Sequence, residues 1–311
     1  MSVAVIDCGT NSTRLLVVDD EGATLAREMT ITRLGQDVAA TGQLHPDALQ
    51  RVYACLVRYR AIMDSFGVSS GTLVATSAAR DARNGPEFVA ECERITGVRA
   101  QLLSGAAEAT ASYIGATADL PDDSRPSMII DIGGGSTELA VVLHREFIAH
   151  SMQLGCVRVS ESHLGSGRLT ADARQAAERM IATEIDGLFT SEPRFQDAIG
   201  AVRLIGLAGT IATLAQLDVG VSEYARELVH HHVLSRFVVE HWTEVLGAEL
   251  PAQRLARPGM VPGREDVLVG GLLVLGAVMD RFAISELLSS ECDILDGVAA
   301  QLQGRAPKEL S

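Results

Sequence analysis

Apolar residues along this 311-residue chain fall into short runs broken by glycine, and two pairs of runs flank the same kind of loop. Ser127-Met-Ile-Ile130 precedes Asp131-Ile-Gly-Gly-Gly-Ser-Thr-Glu138, and Leu139-Ala-Val-Val-Leu143 follows it. Short apolar runs on both sides of glycines predict two strands joined by a tight turn. The pattern therefore predicts a glycine hairpin, not a strand-to-helix phosphate loop. Asp131 ends the first strand, and Glu138 lies on the return strand.

The pattern recurs near the N-terminus. Val3-Ala-Val-Ile6 leads into Asp7-Cys-Gly-Thr-Asn-Ser-Thr-Arg14, and Leu15-Leu-Val-Val18 follows. A single shift places Asp7 on Asp131, Gly9 on Gly133, Ser12 on Ser136, Thr13 on Thr137 and Leu15 on Leu139. Arg14 stands where Glu138 stands, so one loop brings a cation and the other a second anion. The match implies an internal duplication, with two related halves facing each other across one ligand.

Between the loops, Thr24 to Thr32 alternates like a third strand, and Pro46 to Phe66 carries Leu49, Val52, Leu56 and Ile62 at helical spacing. Gly71 to Thr76 reads as a buried strand, Pro86 to Thr96 as a helix and Val98 to Leu103 as a strand. In the second half, Thr170 to Leu188 reads as a long helix and Arg203 to Thr210 as a strand breaking into a glycine turn. Val267 to Met279 reads as a buried, glycine-bearing helix, and a last helix follows Ser289 to Gly297. Ala118-Asp-Leu-Pro-Asp-Asp-Ser-Arg-Pro126 has the composition of a linker. It divides the chain into an N-terminal domain, 1–120, and a C-terminal domain, 121–311, whose last helix is free to pack back on the first.

Composition narrows the function. The net charge is −14 and aromatics are 4% of residues, which removes the basic face and stacking platform of a nucleic-acid binder. The longest apolar run, 267–279, is too short to span a bilayer, so no membrane partner is expected. No signal peptide is read at the N-terminus, and five scattered cysteines, an odd number, fit a reducing cytoplasm. Lys308 is the one lysine among 26 basic residues, so anions meet guanidinium forks, which suit bidentate phosphate contacts.

Glycines permit positive φ and let a ligand approach backbone N–H groups, which together form an anion-binding concavity. Asp131 and Glu138 can face an anion only with a cation between them, and Mg²⁺ takes carboxylate, water and phosphate oxygens together. Arg80 lies just past a buried strand, where open α/β sheets place ligand contacts. Ser104 is placed to cap a helix with Glu108 in its first turn, where the helix dipole favours a carboxylate. Glu108 is also placed to act as a general base. His230-His-His232 diverges on either a helix or a strand and is read as structural.

These motifs, with Thr76-Ser-Ala-Ala-Arg-Asp-Ala-Arg-Asn84, Leu103-Ser-Gly-Ala-Ala-Glu-Ala109, Leu154-Gly-Cys-Val-Arg158 and Gly206-Leu-Ala-Gly-Thr210, cover nearly the whole chain. The chain resembles the exopolyphosphatases and guanosine pentaphosphate phosphohydrolases, within the superfamily of acetate and sugar kinases, heat-shock chaperone ATPases and actin. The resemblance implies an α/β protein of two duplicated ribonuclease H-like (actin-like ATPase) domains with a cleft between them. It implies Glu108 as the residue that positions or deprotonates the attacking water, and Asp131, Glu138 and Asp7 as metal residues for Mg²⁺, with Mn²⁺ as a substitute. Asn11, Ser12, Arg14, Arg80, Gly134, Gly135 and Ser136 would hold phosphates.

The implied activity is hydrolysis of the terminal phosphate of inorganic polyphosphate, with guanosine pentaphosphate as the alternative substrate and a homodimer as a compatible assembly. A superfamily kinase and a non-enzymatic nucleotide sensor are the more distant readings. Three departures stand out. No histidine follows His241, so the ligands of the long members' histidine-aspartate domain are missing. Ala107, not an acid, precedes Glu108. Ala208 replaces the glycine that many superfamily members carry in the third loop, which weakens the case for adenine-nucleotide binding.

Overall fold

The computed structural model describes residues 2–121, 123–165 and 167–307. The chain forms two compact units, one of residues 1–118 with 292–311 and one of residues 119–291. Each is built on its own mixed sheet.

In the first unit, strands β1 (Val3–Cys8) and β2 (Ser12–Val18) make the first hairpin, and β3 (Thr24–Ile31) continues it antiparallel. The short α1 (Val38–Thr41) and long α2 (Pro46–Ser65) lead to β4 (Ser70–Ala75), which lies parallel to β1. Then come α3 (Ser77–Asp81), α4 (Gly85–Thr96), β5 (Arg99–Leu102) and α5 (Gly105–Thr117). The sheet order is β3-β2-β1-β4-β5.

The second unit repeats the plan. Strands β6 (Ser127–Ile132), β7 (Thr137–Leu143) and β8 (Glu146–Met152) form the antiparallel meander, followed by α6 (Cys156–Val159) and α7 (Ala171–Ser191). Strand β9 (Arg203–Leu207) joins parallel to β6, as β4 joins β1. It is followed by α8 (Ala208–Val219), α9 (Arg226–Val229), β10 (Val233–Ser235), α10 (Arg236–Gly247), α11 (Pro251–Leu255), α12 (Leu268–Arg281) and β11 (Glu286–Ser289). The order β8-β7-β6-β9-β11 matches the first sheet position by position, with β10 added antiparallel at the edge. Strand β8, which completes the second meander, was not read from the sequence.

The last helix, α13 (Ile294–Leu302), belongs to the first unit. Its Ile294, Leu295 and Val298 join Val3, Val5, Leu16 and Val18 in one buried cluster. The opposite face of that sheet buries Ile6, Leu15, Val17 and Leu73 against Leu56, Met63 and Phe88. Strands covered on both faces read as continuous apolar runs, which is why these segments were legible. Among the described residues, no helix is long and apolar enough to cross a membrane.

Candidate active site

Both predicted hairpins close in the same way. Asp7 is the cross-strand partner of Arg14, and Asp131 is the cross-strand partner of Glu138. Gly9 N donates to Ser12 O and Gly133 N to Ser136 O, each at 3.0 Å. Neither glycine takes a positive φ, contrary to the reason given for them above. An added Cβ would sit 3.2 Å from Ser12 O at Gly9 and 3.1 Å from Ser136 O at Gly133. Crowding at the turn, not left-handed backbone, therefore favours glycine there. Those two amides are also spent on closing the turns.

In the first unit, Asp7 is buried and tied to Arg14, whose Nε and Nη2 donate to the same Oδ2 at 3.1 and 2.7 Å. Burial pushes the Asp7 carboxyl above its ordinary range, and the Arg14 charge and hydrogen bond pull it back. Its other oxygen, Oδ1, is buried without a hydrogen-bond partner among the described residues, as are Asn11 Nδ2 and Arg80 Nη2. Buried polar atoms are nearly always paired. One lone acceptor and two lone donors on these residues are the complement of a cation and of phosphate oxygens.

The loop is braced from below. Thr32 N and Arg33 N donate to Asn11 O, and Thr10 Oγ1 lies 2.8 Å from Ser77 Oγ at the start of α3. That helix carries Arg80. Its Nη1 donates to Leu103 O at 2.9 Å and to Glu108 Oε2 at 3.1 Å. Ser104 caps α5 as predicted, accepting from Ala107 N at 3.2 Å, which sets the buried Glu108 in the first turn. The guanidinium offsets the cost of burying that carboxylate.

In the second unit, Asp131 and Glu138 are both buried. Glu138 Oε1 accepts from Ser151 Oγ at 2.6 Å, and Ser151 is its cross-strand partner on β8. Ser151 was missed because β8 alternates weakly. Gly134 O accepts from Val157 N and Arg158 N, and Arg158 Nε donates to Gly135 O at 2.8 Å. A Cβ at Gly155 would sit 2.4 Å from Gly134 C and O, so only glycine fits beneath the loop. The histidine run diverges only in part: His230 and His231, rings stacked 3.8 Å apart, both turn to Asp119, with Nε2 3.0 Å from Oδ2 and 3.7 Å from Oδ1 respectively, whereas His232 Nε2 lies 2.8 Å from Asp218 Oδ2.

The sequence profile of the Ppx/GppA phosphatase family matches residues 5–305. The chain belongs to this family. It is 36% identical to exopolyphosphatase 2 of Mycobacterium tuberculosis, over 97% of this chain and 98% of that protein. It is 25% identical to the guanosine-5'-triphosphate,3'-diphosphate pyrophosphatase of Aeromonas hydrophila, over 97% of this chain but 59% of that protein. The crystal structure of an exopolyphosphatase-like protein, 33% identical, superposes with a TM-score of 0.91 over 98% of this chain and 99% of that one. The two-sheet α/β architecture is thus the actin-like fold of Ppx/GppA proteins.

Proposed function

We propose that this family member is an exopolyphosphatase, releasing the terminal phosphate of inorganic polyphosphate. The observation that carries the reading is a pair of buried, unpartnered donors in the first unit, Asn11 Nδ2 and Arg80 Nη2, the latter on the side chain that pairs with Glu108. Full-length similarity to a mycobacterial exopolyphosphatase supports the same substrate class.

In this reading, Glu108 accepts a proton from the attacking water as its oxygen bonds to the terminal phosphorus in line with the bridging oxygen that leaves. Products are inorganic phosphate and a chain one residue shorter. Asn11, Ser12, Arg14 and Arg80 hold phosphate oxygens on the first unit, and Gly134, Gly135 and Ser136 do so on the second. Such chemistry rests mainly on positioning and charge stabilisation.

Asp7 in the first unit, and separately Asp131 and Glu138 in the second, are buried carboxylates, the hard oxygen donors that would suit Mg²⁺ or Mn²⁺, and the lone Asp7 Oδ1 fits that role. When bound, such an ion neutralises charge on the phosphates. Cys8, Cys55, Cys92 and Cys156 are buried free thiols, which supports a cytoplasmic setting.

Guanosine pentaphosphate is the second reading, favoured by the Aeromonas relative. Initial rates on both substrates, measured side by side with Mg²⁺, test the choice. A higher kcat/KM for polyphosphate is expected; the reverse order overturns it.

A further inference from the structure

Asp293 sits where three elements of the first unit meet. As the N-cap of α13 it accepts from Leu295 N through Oδ1 at 2.9 Å, while its own N donates to Asp296 Oδ2 at 2.8 Å. Its other oxygen, Oδ2, accepts from Arg14 Nη1. The Arg14 guanidinium is therefore spanned by two carboxylates, with its Nε and Nη2 on Asp7 and its Nη1 on Asp293.

The capped end of α13 is itself fastened. Asp296 pairs with Arg27 of β3 at 2.5 Å. Gly115 of α5 and Gly297 of α13 permit close helix contact: a Cβ at Gly115 would lie 2.0 Å from Asp293 O, and one at Gly297 would lie 1.8 Å from Ala111 O. The helix that carries Glu108 and the residue that grips Arg14 are thus locked to one element. Arginine loses much rotamer freedom when it binds, and a side chain already held at both edges has little left to lose.

We propose that Asp293 is a positioning residue for substrate binding, holding the Arg14 guanidinium in one orientation from the capped end of α13. The inference rests on the reading that Arg14 contacts phosphate. Asp293 does not touch substrate; it acts through Arg14. Its consequence is a KM effect that depends on Arg14.

A double-mutant cycle tests this. Serine is as good an N-cap as aspartate but too short to reach Arg14, so Asp293→Ser separates capping from the arginine contact. With polyphosphate and Mg²⁺, Asp293→Ser is expected to raise KM roughly three- to thirty-fold, with kcat changed less, by analogy with contacting pairs. In an Arg14→Gln background the same substitution is expected to leave KM unchanged. Equal effects in the two backgrounds, or no effect in the parent, overturn the proposal, because a merely structural role acts alike in both. Should Asp293→Ser fail to fold by thermal melting, Asp293→Asn, which keeps cap and shape, enters the cycle with the same outcomes. Turnover by the parent enzyme is a separate readout: without it the functional reading fails and this inference with it, whereas turnover with KM indifferent to Asp293 defeats this inference alone.

Discussion

Arg80 reaches Glu108 across the end of the first sheet, its Nη1 3.1 Å from Glu108 Oε2, while the same nitrogen donates to Leu103 O at 2.9 Å. Arg80 therefore does more than the phosphate contact expected of it: it also fixes the proposed base. Replacing it with lysine keeps a charge near Glu108 and removes the fork. Arg80→Lys is expected to raise KM for polyphosphate roughly ten-fold, the size of one charged hydrogen bond. An unchanged KM by steady-state phosphate release would show that Arg80 serves only Glu108.

Gly155 lies directly beneath the Gly134 carbonyl. Because the neighbour is backbone, it cannot turn aside as a side chain would. Gly155→Ala is expected to lower stability by about 1–3 kcal/mol, as overpacking does. Urea denaturation measures it, and a loss within about 0.5 kcal/mol, typical of unconstrained sites, would mean the loop yields easily.

Ala208 opens α8 with φ near 65°, in the left-handed region. A non-glycine residue there carries about 1–2 kcal/mol of strain, partly offset by the greater chain entropy of glycine when unfolded. Ala208→Gly is therefore expected to stabilise the protein by roughly 0.5–1 kcal/mol. A lower urea midpoint for this variant contradicts that expectation.

Burial holds His150 below its ordinary pKa, against the opposing pull of Glu192 and Glu184. The unfolded chain then takes up a proton at higher pH than the folded one. Stability is accordingly lost as pH falls through about 6.5, the ordinary histidine value. The drop in urea midpoint between pH 7.5 and pH 5.5 is expected to be smaller in His150→Gln; an identical drop would remove His150 from the account.

Both hairpins were legible because their information is local. Apolar runs on either side of Asp7–Arg14 and Asp131–Glu138 set the strands, and register then made each acid face its partner. Ser104 and Glu108 were legible for the same reason, since a cap and first turn lie within four residues. Other features depend on folding. Asp293 meets Arg14 across 279 positions of sequence, and no local pattern encodes that meeting. Ser151 was hidden because Glu146–Met152 alternates burial imperfectly. The role of Gly9 and Gly133 was misread, because crowding by the carbonyl of the residue three positions on, across the turn, is a property of the closed hairpin.

The central claim, that Glu108 is the base for polyphosphate hydrolysis, is tested most directly by phosphate release from polyphosphates of several lengths. The assay compares the parent with Glu108→Gln, in Mg²⁺ and in excess chelator. The account predicts metal-dependent release by the parent and a kcat lower by about 10² to 10⁴ in Glu108→Gln, the usual contribution of a general base. Near-parental turnover by Glu108→Gln would contradict it.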